Sequence, residues 1–409
     1  MSTATETPAQ HGLTAHSHGA AADEKGSAQS ALDRFASFDV ADHPVPHGKE
    51  EEWRFTPMSR LRGLHDDAAL DGGDVAVSVD ADPQVTVETV GADDPRRGTS
   101  SYVPVDRPSA RAWEAAEKVL AVDIPVEAEI ERPTFVQLSG SSAEQGAAGH
   151  IVITAGRHSK SVVVLEYGGS AALVDNVEVV AGDGAELTVV TVQDWADDAV
   201  HLSHHHVRTG RDATVKHAII TFGGDLVRTG TTLNYAGPGG DATLLGLYYA
   251  DAGQHIENRL IVDHNTPNGT SDVEYKGALQ GKKAHAVWIG DVLIRKEALG
   301  INTYELNRNL VLTDGARADS VPNLEIETGE IEGAGHASAT GRFDDEQLFY
   351  LQARGIPADL ARKLVVRGFF ASLINRIGVP QLTERLMATV ERELAVVEAM
   401  ASDDASGGA

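Results

Sequence analysis

The sequence predicts a mainly β protein, a central stack of short strands with helical segments before and after it. Three observations carry this expectation. Apolar residues alternate with a period of two through short runs from about residue 120 to 340. The chain contains 41 glycines, and small Gly-containing turns separate those runs. After Thr340 the spacing lengthens to that of amphipathic helices.

Taken in chain order, residues 1–30 are mostly Ala, Thr, Ser, Gly, Glu and His and read as a disordered tail. They contain neither a basic segment nor an apolar stretch, so no export signal is expected and a cytoplasmic location follows as the simplest expectation. Residues 31–119 read as a mixed, partly helical region. Helical text at 31–35 is broken by Pro44 and Pro46, a second short helix is expected from Met58, and Ala110, Trp113, Ala116 and Val119 mark a third over 109–119. One alternating run lies at 85–90.

The core is expected over 120–340. Ile124, Val126, Ala128 and Ile130 alternate with polar residues, and 162–167, 187–192, 214–220 and 291–294 read as further strands. Each of Ala171, Ala185, Ala213, Ala242, Ala284 and Ala316 closes a Gly-led turn, at steps of 14, 28, 29, 42 and 32 residues. Steps near multiples of 14 suit a coiled stack of strands, with one strand and one turn per step. The same runs also suit a jelly roll or sandwich with glycine turns. Residues 341–401 are expected to form a helical domain. Gly355 would stop its first helix, and Pro357 would open a second through Leu360, Leu364, Val365, Phe369, Leu373 and Ile374. A third would start at Pro380, and 402–409 read as a polar tail.

Composition excludes several functions. With 34 basic and 61 acidic residues the net charge is −27, which repels phosphate backbones and anionic lipid headgroups, so neither nucleic acid nor membrane is an expected partner. No run approaches the roughly 18 apolar residues of a membrane span. The absence of cysteine removes disulfides, thiolate-held clusters and a cysteine nucleophile from the isolated chain. Phosphate-loop, dinucleotide-binding and nucleophile-elbow patterns are missing, so no nucleotide hydrolysis by this chain alone is expected.

Two histidine-rich places stand out. His204 and His206 share one face of a strand and form a candidate metal pair, but no glutamate follows at the spacing a cupin-like site needs, and surface histidines are the expected explanation. Asp263 and His264 fall on opposite faces and are not expected to pair. His336 lies among Gly and Ala at the junction of the core and the helical segment, where a neutral imidazole could ligate a metal or simply occupy a polar loop.

The ordered text at 304–326 and 335–356, with Asp263-His264, Tyr275-Lys276-Gly277, Trp288-Ile289-Gly290 and the 52–57 segment Glu-Trp-Arg-Phe-Thr-Pro, resembles the SufB/SufD family of iron–sulfur cluster assembly proteins. The resemblance implies a right-handed parallel β-helix core flanked by helical domains. It also implies a scaffold rather than an enzyme, working with a SufB-like paralogue and a SufC-like ATPase that docks on the C-terminal helices. A homodimer is the alternative assembly. By the same resemblance His336 is a possible ligand for iron or a nascent cluster at the paralogue interface, shared transiently and not held alone. The family's neighbouring cysteine position is Ala334 here, so the resemblance leaves any thiolates to the SufB-like partner, and the absence of cysteine from the whole chain argues for the SufD-like side of the family. Rival readings from other classes are a β-helix carbohydrate-active enzyme using paired carboxylates and a metalloprotein using His204 and His206.

Overall fold

In the computed structural model, which describes residues 34–73, 75–343 and 345–406, the expected strand stack closes into a parallel β-solenoid of about eight turns. The strands are β1 (Val75–Asp80), β2 (Thr86–Gly91), β3 (Lys118–Ile124), β4 (Thr134–Ala155), β5 (Lys160–Ala181), β6 (Glu186–Trp195), β7 (Val200–Thr209) and β8 (Thr214–Gly223). They continue as β9 (Leu226–Tyr235), β10 (Asp241–Ala250), β11 (His255–His264), β12 (Thr270–Leu279), β13 (His285–Ile294), β14 (Asn302–Val311), β15 (Arg317–Ile326) and β16 (Gly333–Arg342). Helices are α1 (Arg107–Ala115), α2 (Asp345–Gln352), α3 (Ala358–Ile377) and α4 (Pro380–Ser406). The 1–30 tail expectation lies outside the described residues, as do 407–409; α4 runs past the expected boundary at 401.

Odd- and even-numbered strands after β5 build opposite walls. One wall runs β5-β7-β9-β11-β13-β15 and the other β5-β6-β8-β10-β12-β14-β16, all parallel. The 14-residue step is therefore half a coil. A whole coil separates Glu186 from its partner Thr214, so the preceding Ala185 and Ala213 stack at one corner, and Ala284 and Ala316 do the same at another. Ala242 departs from that pattern, lying inside β10 opposite Val215. The 22-residue β5 serves both walls, pairing with β6 through Lys160–Gly169 and with β7 through Ala172–Ala181.

Alternate side chains fill the interior, where a continuous apolar cluster runs from Val85 to Ile301. Its tightest fit joins β10 and β12. Gly246 lies opposite Tyr275 and Tyr248 opposite Gly277, and a Cβ on either glycine would meet the facing tyrosine ring. Each ring occupies the space its neighbour's missing side chain leaves.

The outer wall faces are covered differently. On the even wall, Val366, Phe370, Leu373, Ile374 and Ile377 of α3 and Leu382, Leu386 and Val390 of α4 pack on Val190, Ile220, Leu245 and Leu247. The Lys216 Nζ donates to the Arg376 and Ile377 carbonyls at 2.8 and 3.2 Å, closing the C-terminal end of α3, where a cation also suits the helix dipole. Gly378 follows at φ +74°, a left-handed stop that only glycine adopts freely.

On the odd wall the cover is the N-terminal region, which sets Trp53, Leu61, Leu64 and Ala112 on Ala172, Val174, Val200, Leu202 and Leu226 and adds polar contacts beside that apolar patch. Trp53 lies under the Arg228 guanidinium at 3.9 Å, and Thr56 donates to Glu257 at 2.7 Å. Gly98 and Ser100 donate to the buried Glu178, and Tyr102 donates to Asn176 at 2.8 Å. The expected helices shrink here. Residues 34–37 are not helical, Met58–Arg60 is a single 3-10 turn, and α1 ends at Ala115 because Val119 belongs to β3, paired with Val90. The Asp106 capping box and Pro108 fix the start of α1 two residues early. The alternation over 124–130 is not one strand: β3 ends at Ile124, and Glu127 turns the chain at φ +60°.

Two expectations follow. Gly277→Ala should cost about 2 kcal/mol or more by overpacking against Tyr248, measured as a lower urea midpoint; an unchanged midpoint would show the ring free to move. Burial lowers the pKa of His204 to about 3, and of His206, His217 and His264 to about 4, below the ordinary 6.5. The unfolded chain then binds more protons between pH 6.5 and 4, so stability should fall as pH falls through that window. Unfolding midpoints collected from pH 7 to 4.5 check it, and a flat profile would contradict it.

Candidate functional site

The solenoid is finished differently at its last coil. β15 and β16 are the outermost strands of the two walls, and among the described residues neither has a further strand beside it. An unpaired edge presents a row of backbone donors and acceptors to any incoming strand. The two edges are not alike. β15 carries Pro322 at its middle, which removes one donor, as is tolerated only at an edge. β16, Gly-Ala-Gly-His-Ala-Ser-Ala-Thr-Gly-Arg, has no proline and only small side chains apart from His336 and Arg342.

His336 is exposed. Its strand position is opposite Glu305 of β14, and Ala334, His336, Ser338 and Thr340 oppose Thr303, Glu305, Asn307 and Asn309 in turn. Those four β14 residues are all buried and fill the interior phase of the strand. His336 thus continues the interior file onto the last coil, where no further coil covers it. Ala334, at the position that the resemblance assigns to a cysteine, packs against the core.

The interior file under this end is polar. Thr303 and Ser271 share a 2.6 Å hydrogen bond, which His264 extends at 2.9 Å. Asn307 donates to the Tyr248 hydroxyl at 2.9 Å, and Asn309 donates to Asn307 at 2.7 Å and toward Thr340 at 3.4 Å. Glu305 breaks this pattern. It is fully buried, and neither carboxylate oxygen has a hydrogen-bond partner among the described residues. Burial, with a smaller push from Asp291, raises its pKa to about 8. Its carboxylate sits beside Gly290 and the ring of Trp288. The indole N–H of Trp288 and the hydroxyl of Ser320, the strand partner of Trp288, are also buried without partners. Glu305 was not anticipated as a site residue. Strand alternation alone would have found it, since it is a carboxylate in the buried phase of a strand whose exposed phase holds Tyr304 and Arg308.

The other sequence candidates lie elsewhere. His204 and His206 are not surface histidines but 5% and 6% exposed, with the Tyr102 ring 5.6 Å from each. His204 is hydrogen-bonded to Thr232 at 3.2 Å, and His206 to Ser100 at 3.0 Å. The cover that buries them comes from 98–109, which has no periodic signature in the sequence. Among the described residues no group of three or more His, Cys, Asp or Glu side chains is arranged to hold a metal. Asp263 pairs outward with Arg295 at 2.9 Å, while His264 turns inward and stacks on Tyr235, so the two do point apart.

A second surface feature lies in the helical segment. The expected stripe divides: Leu373 and Ile374 turn to the wall, whereas Leu360 and Leu364 are 49% and 44% exposed. Phe349 and Tyr350 of α2 are 72% and 55% exposed, which leaves large apolar side chains on both helices facing solvent. No helix among the described residues is long and apolar enough to cross a membrane.

Comparison with known proteins bears on both features. Residues 137–369 match the family described as SUF system FeS cluster assembly, SufBD core domain. An iron–sulfur cluster assembly SufBD family protein of Mycobacterium bovis is 52% identical over 380 residues, covering 91% of this chain and 96% of that protein. One of Mycobacterium leprae is 51% identical over 383 residues, covering 91% and 97%. The iron–sulfur cluster assembly protein SufD of Bacillus subtilis is 27% identical over 279 residues, covering 66% and 63%. The solenoid spans the matched segment, and its open end and helical module fall within or beside it. The chain belongs to the SufB/SufD family of iron–sulfur cluster assembly proteins.

Proposed function

We propose that this chain is the SufD-like scaffold subunit of an assembly complex with a SufB-like paralogue and a SufC-like ATPase, and that it has no enzymatic activity of its own. The observation that carries this reading is the open end of the solenoid, where β15 and β16 each have one edge without a further strand among the described residues and His336 is exposed on β16. Strand addition along β16 would join the paralogue's end coil to this one and bring His336 to the seam. A neutral imidazole is a competent iron ligand, as in clusters where histidine replaces cysteine on one iron. Alanine at 334 leaves thiolates to the partner, so iron and sulfide are cargo passing through a shared site.

The exposed apolar residues of α2 and α3 are the docking surface for the ATPase in this reading. Their position supports it, because α3 is also fastened to the even wall through Lys216 and Lys276; the latter donates to the Phe369 carbonyl at 3.1 Å. A tug on the helices would therefore be transmitted to the coils. The complex is expected in the cytoplasm.

In the reconstituted three-subunit complex, His336→Ala should lower cluster yield on the order of tenfold while leaving the complex assembled. Yield equal to that of the unaltered complex would remove His336 from the site. Leu360→Asp with Leu364→Asp should weaken ATPase co-purification by about tenfold or more, yet change the chain's own stability by only about 0.5 kcal/mol, since both side chains are exposed. Retention of the ATPase by that variant would move the docking surface elsewhere.

A further inference from the structure

We propose that His255 and His285 form a binding site for a divalent first-row metal ion of zinc's class on the outer face of the odd wall, with the two imidazole Nδ1 atoms as its ligands. The site does not rest on the assembly role argued above.

Its geometry begins with register. His255 opens β11, His285 opens β13, and the two are strand partners on adjacent coils. Ile256 and Ala286, next to them in sequence, face the apolar interior, so both imidazoles belong to the outer phase of the wall. The rings do not stack. They meet at 66°, with the two Nδ1 atoms 3.1 Å apart.

The far nitrogens of both rings are already committed. His255 Nε2 bonds Glu257 at 3.2 Å, and His285 Nε2 bonds Asp319 at 2.7 Å. Burial raises the pKa of both carboxyls. Arg228 and His255 outweigh it at Glu257, and hydrogen bonds from Arg317 and His285 outweigh it at Asp319, so both pKa values fall below the ordinary range. An ionised carboxylate only accepts, so each Nε2 carries a hydrogen and donates it. In His285, burial lowers the pKa further than Asp319 raises it, which keeps that ring neutral at pH 7. Its Nδ1 is then a bare lone pair facing a second Nδ1 at hydrogen-bond distance. Such a pair is held together by a cation between the nitrogens, either a proton or a metal ion.

Two features favour the metal. Histidine ligands characteristically donate their other ring N–H to a carboxylate, which fixes the tautomer and aims the lone pair, and here both rings have that backing. The spacing fits as well. With metal–nitrogen bonds of about 2.1 Å, two nitrogens stand about 3.0 Å apart at a right angle, about 3.4 Å apart at the tetrahedral angle and about 4.2 Å apart in a line. The observed 3.1 Å lies between the first two and far from the third, which disfavours a linear ion such as Cu(I) and suits Zn(II) or Co(II). Glu257 and Asp319 serve as backing rather than as ligands, so the ion has two protein donors and water fills its other positions. The His285 and Asp319 side chains are 22% and 20% exposed, which gives an ion and its water a way in, while His255 is buried. Once bound, the ion would staple two coils beside Glu257, which also accepts from Thr56 of the N-terminal cover.

The test uses the full-length chain, stripped with a chelator and titrated near neutral pH with Zn(II) alone by calorimetry and with Co(II) alone by visible absorption. Other histidines of the chain also take up metal, so the readout is the difference between variants. The unaltered chain should bind one equivalent of Zn(II) more than His285→Gln, and its thermal midpoint should rise with Zn(II) while that of His285→Gln does not. Asp319→Asn acts only through His285 and should keep that equivalent but weaken its binding by about tenfold or more. His47→Gln, at a histidine 68% exposed and bonded to Glu50, should alter neither readout. Equal Zn(II) uptake by the unaltered and His285→Gln chains would overturn the site. Nitrogen NMR of the histidine-labelled, unaltered chain decides the case even if His285→Gln folds poorly. Zn(II) should move the Nδ1 resonances of both rings, whereas resonances that stay in place would show that a proton alone joins them and that the metal site falls.

Discussion

Everything in this molecule depends on the register with which each coil sits on the one before it. Thr214 lies opposite Glu186 on one side and Asp241 on the other, and from there the pairing runs without a slip to Asn302 and Gly333. A shift of one residue would turn every interior side chain outward. Because no shift occurs, one alternation phase stays inside along the whole even wall, and the phase that holds Val273 and Tyr275 also holds Glu305 and His336. The tyrosine–glycine interlock between β10 and β12 shows how narrow the tolerance is. Registers other than the observed one would bring ring against ring or leave two voids.

The same register makes the outer faces into continuous platforms, and the chain covers them by different means. The even wall presents Val190, Ile220, Leu245 and Leu247 and is covered by helices through apolar contact, with lysines reaching across to helix carbonyls. The odd wall presents Val174, Val200, Leu202 and Leu226 beside His204, His206, Arg228 and Glu257, and is covered by α1 and irregular chain through apolar contact together with hydrogen bonds, ion pairs and a cation–π contact. An apolar platform accepts any amphipathic helix of suitable length. The polar part of the odd wall accepts only a chain whose donors and acceptors match it one by one. That difference explains why the 52–57 segment, which is short and not periodic, nevertheless figures in the family likeness: Trp53 and Thr56 are anchors of the cover.

How much of this could be read from the sequence follows the same division. The strand runs after residue 130, the 14-residue step and the helical module were legible because each repeats a period set by backbone geometry. The alanine steps anticipated the corners, although the step proved to be half a coil and Ala242 falls in a strand. Features without a period were misread. The turn at 125–130 alternates by chance, α1 is bounded by its capping box and by the start of β3, and His204 and His206 are buried by a segment some hundred residues away whose sequence says nothing of its destination. Of the candidate site, His336 was identified by likeness, and its relation to Glu305 needed the pairing of β14 with β16.

One detail of the final coil bears on how such an end behaves in a crowded solution. A solenoid with two bare parallel edges is, in geometric terms, a seed for end-to-end fibres, since any second copy could continue both walls at once. Pro322 interrupts the β15 edge at its centre, while β16 remains uninterrupted. The terminus is therefore lopsided. Along β16 no backbone donor is lost to an incoming strand, whereas along β15 one is missing. A proline in an otherwise unremarkable strand thus makes one of the two edges a poorer template than the other.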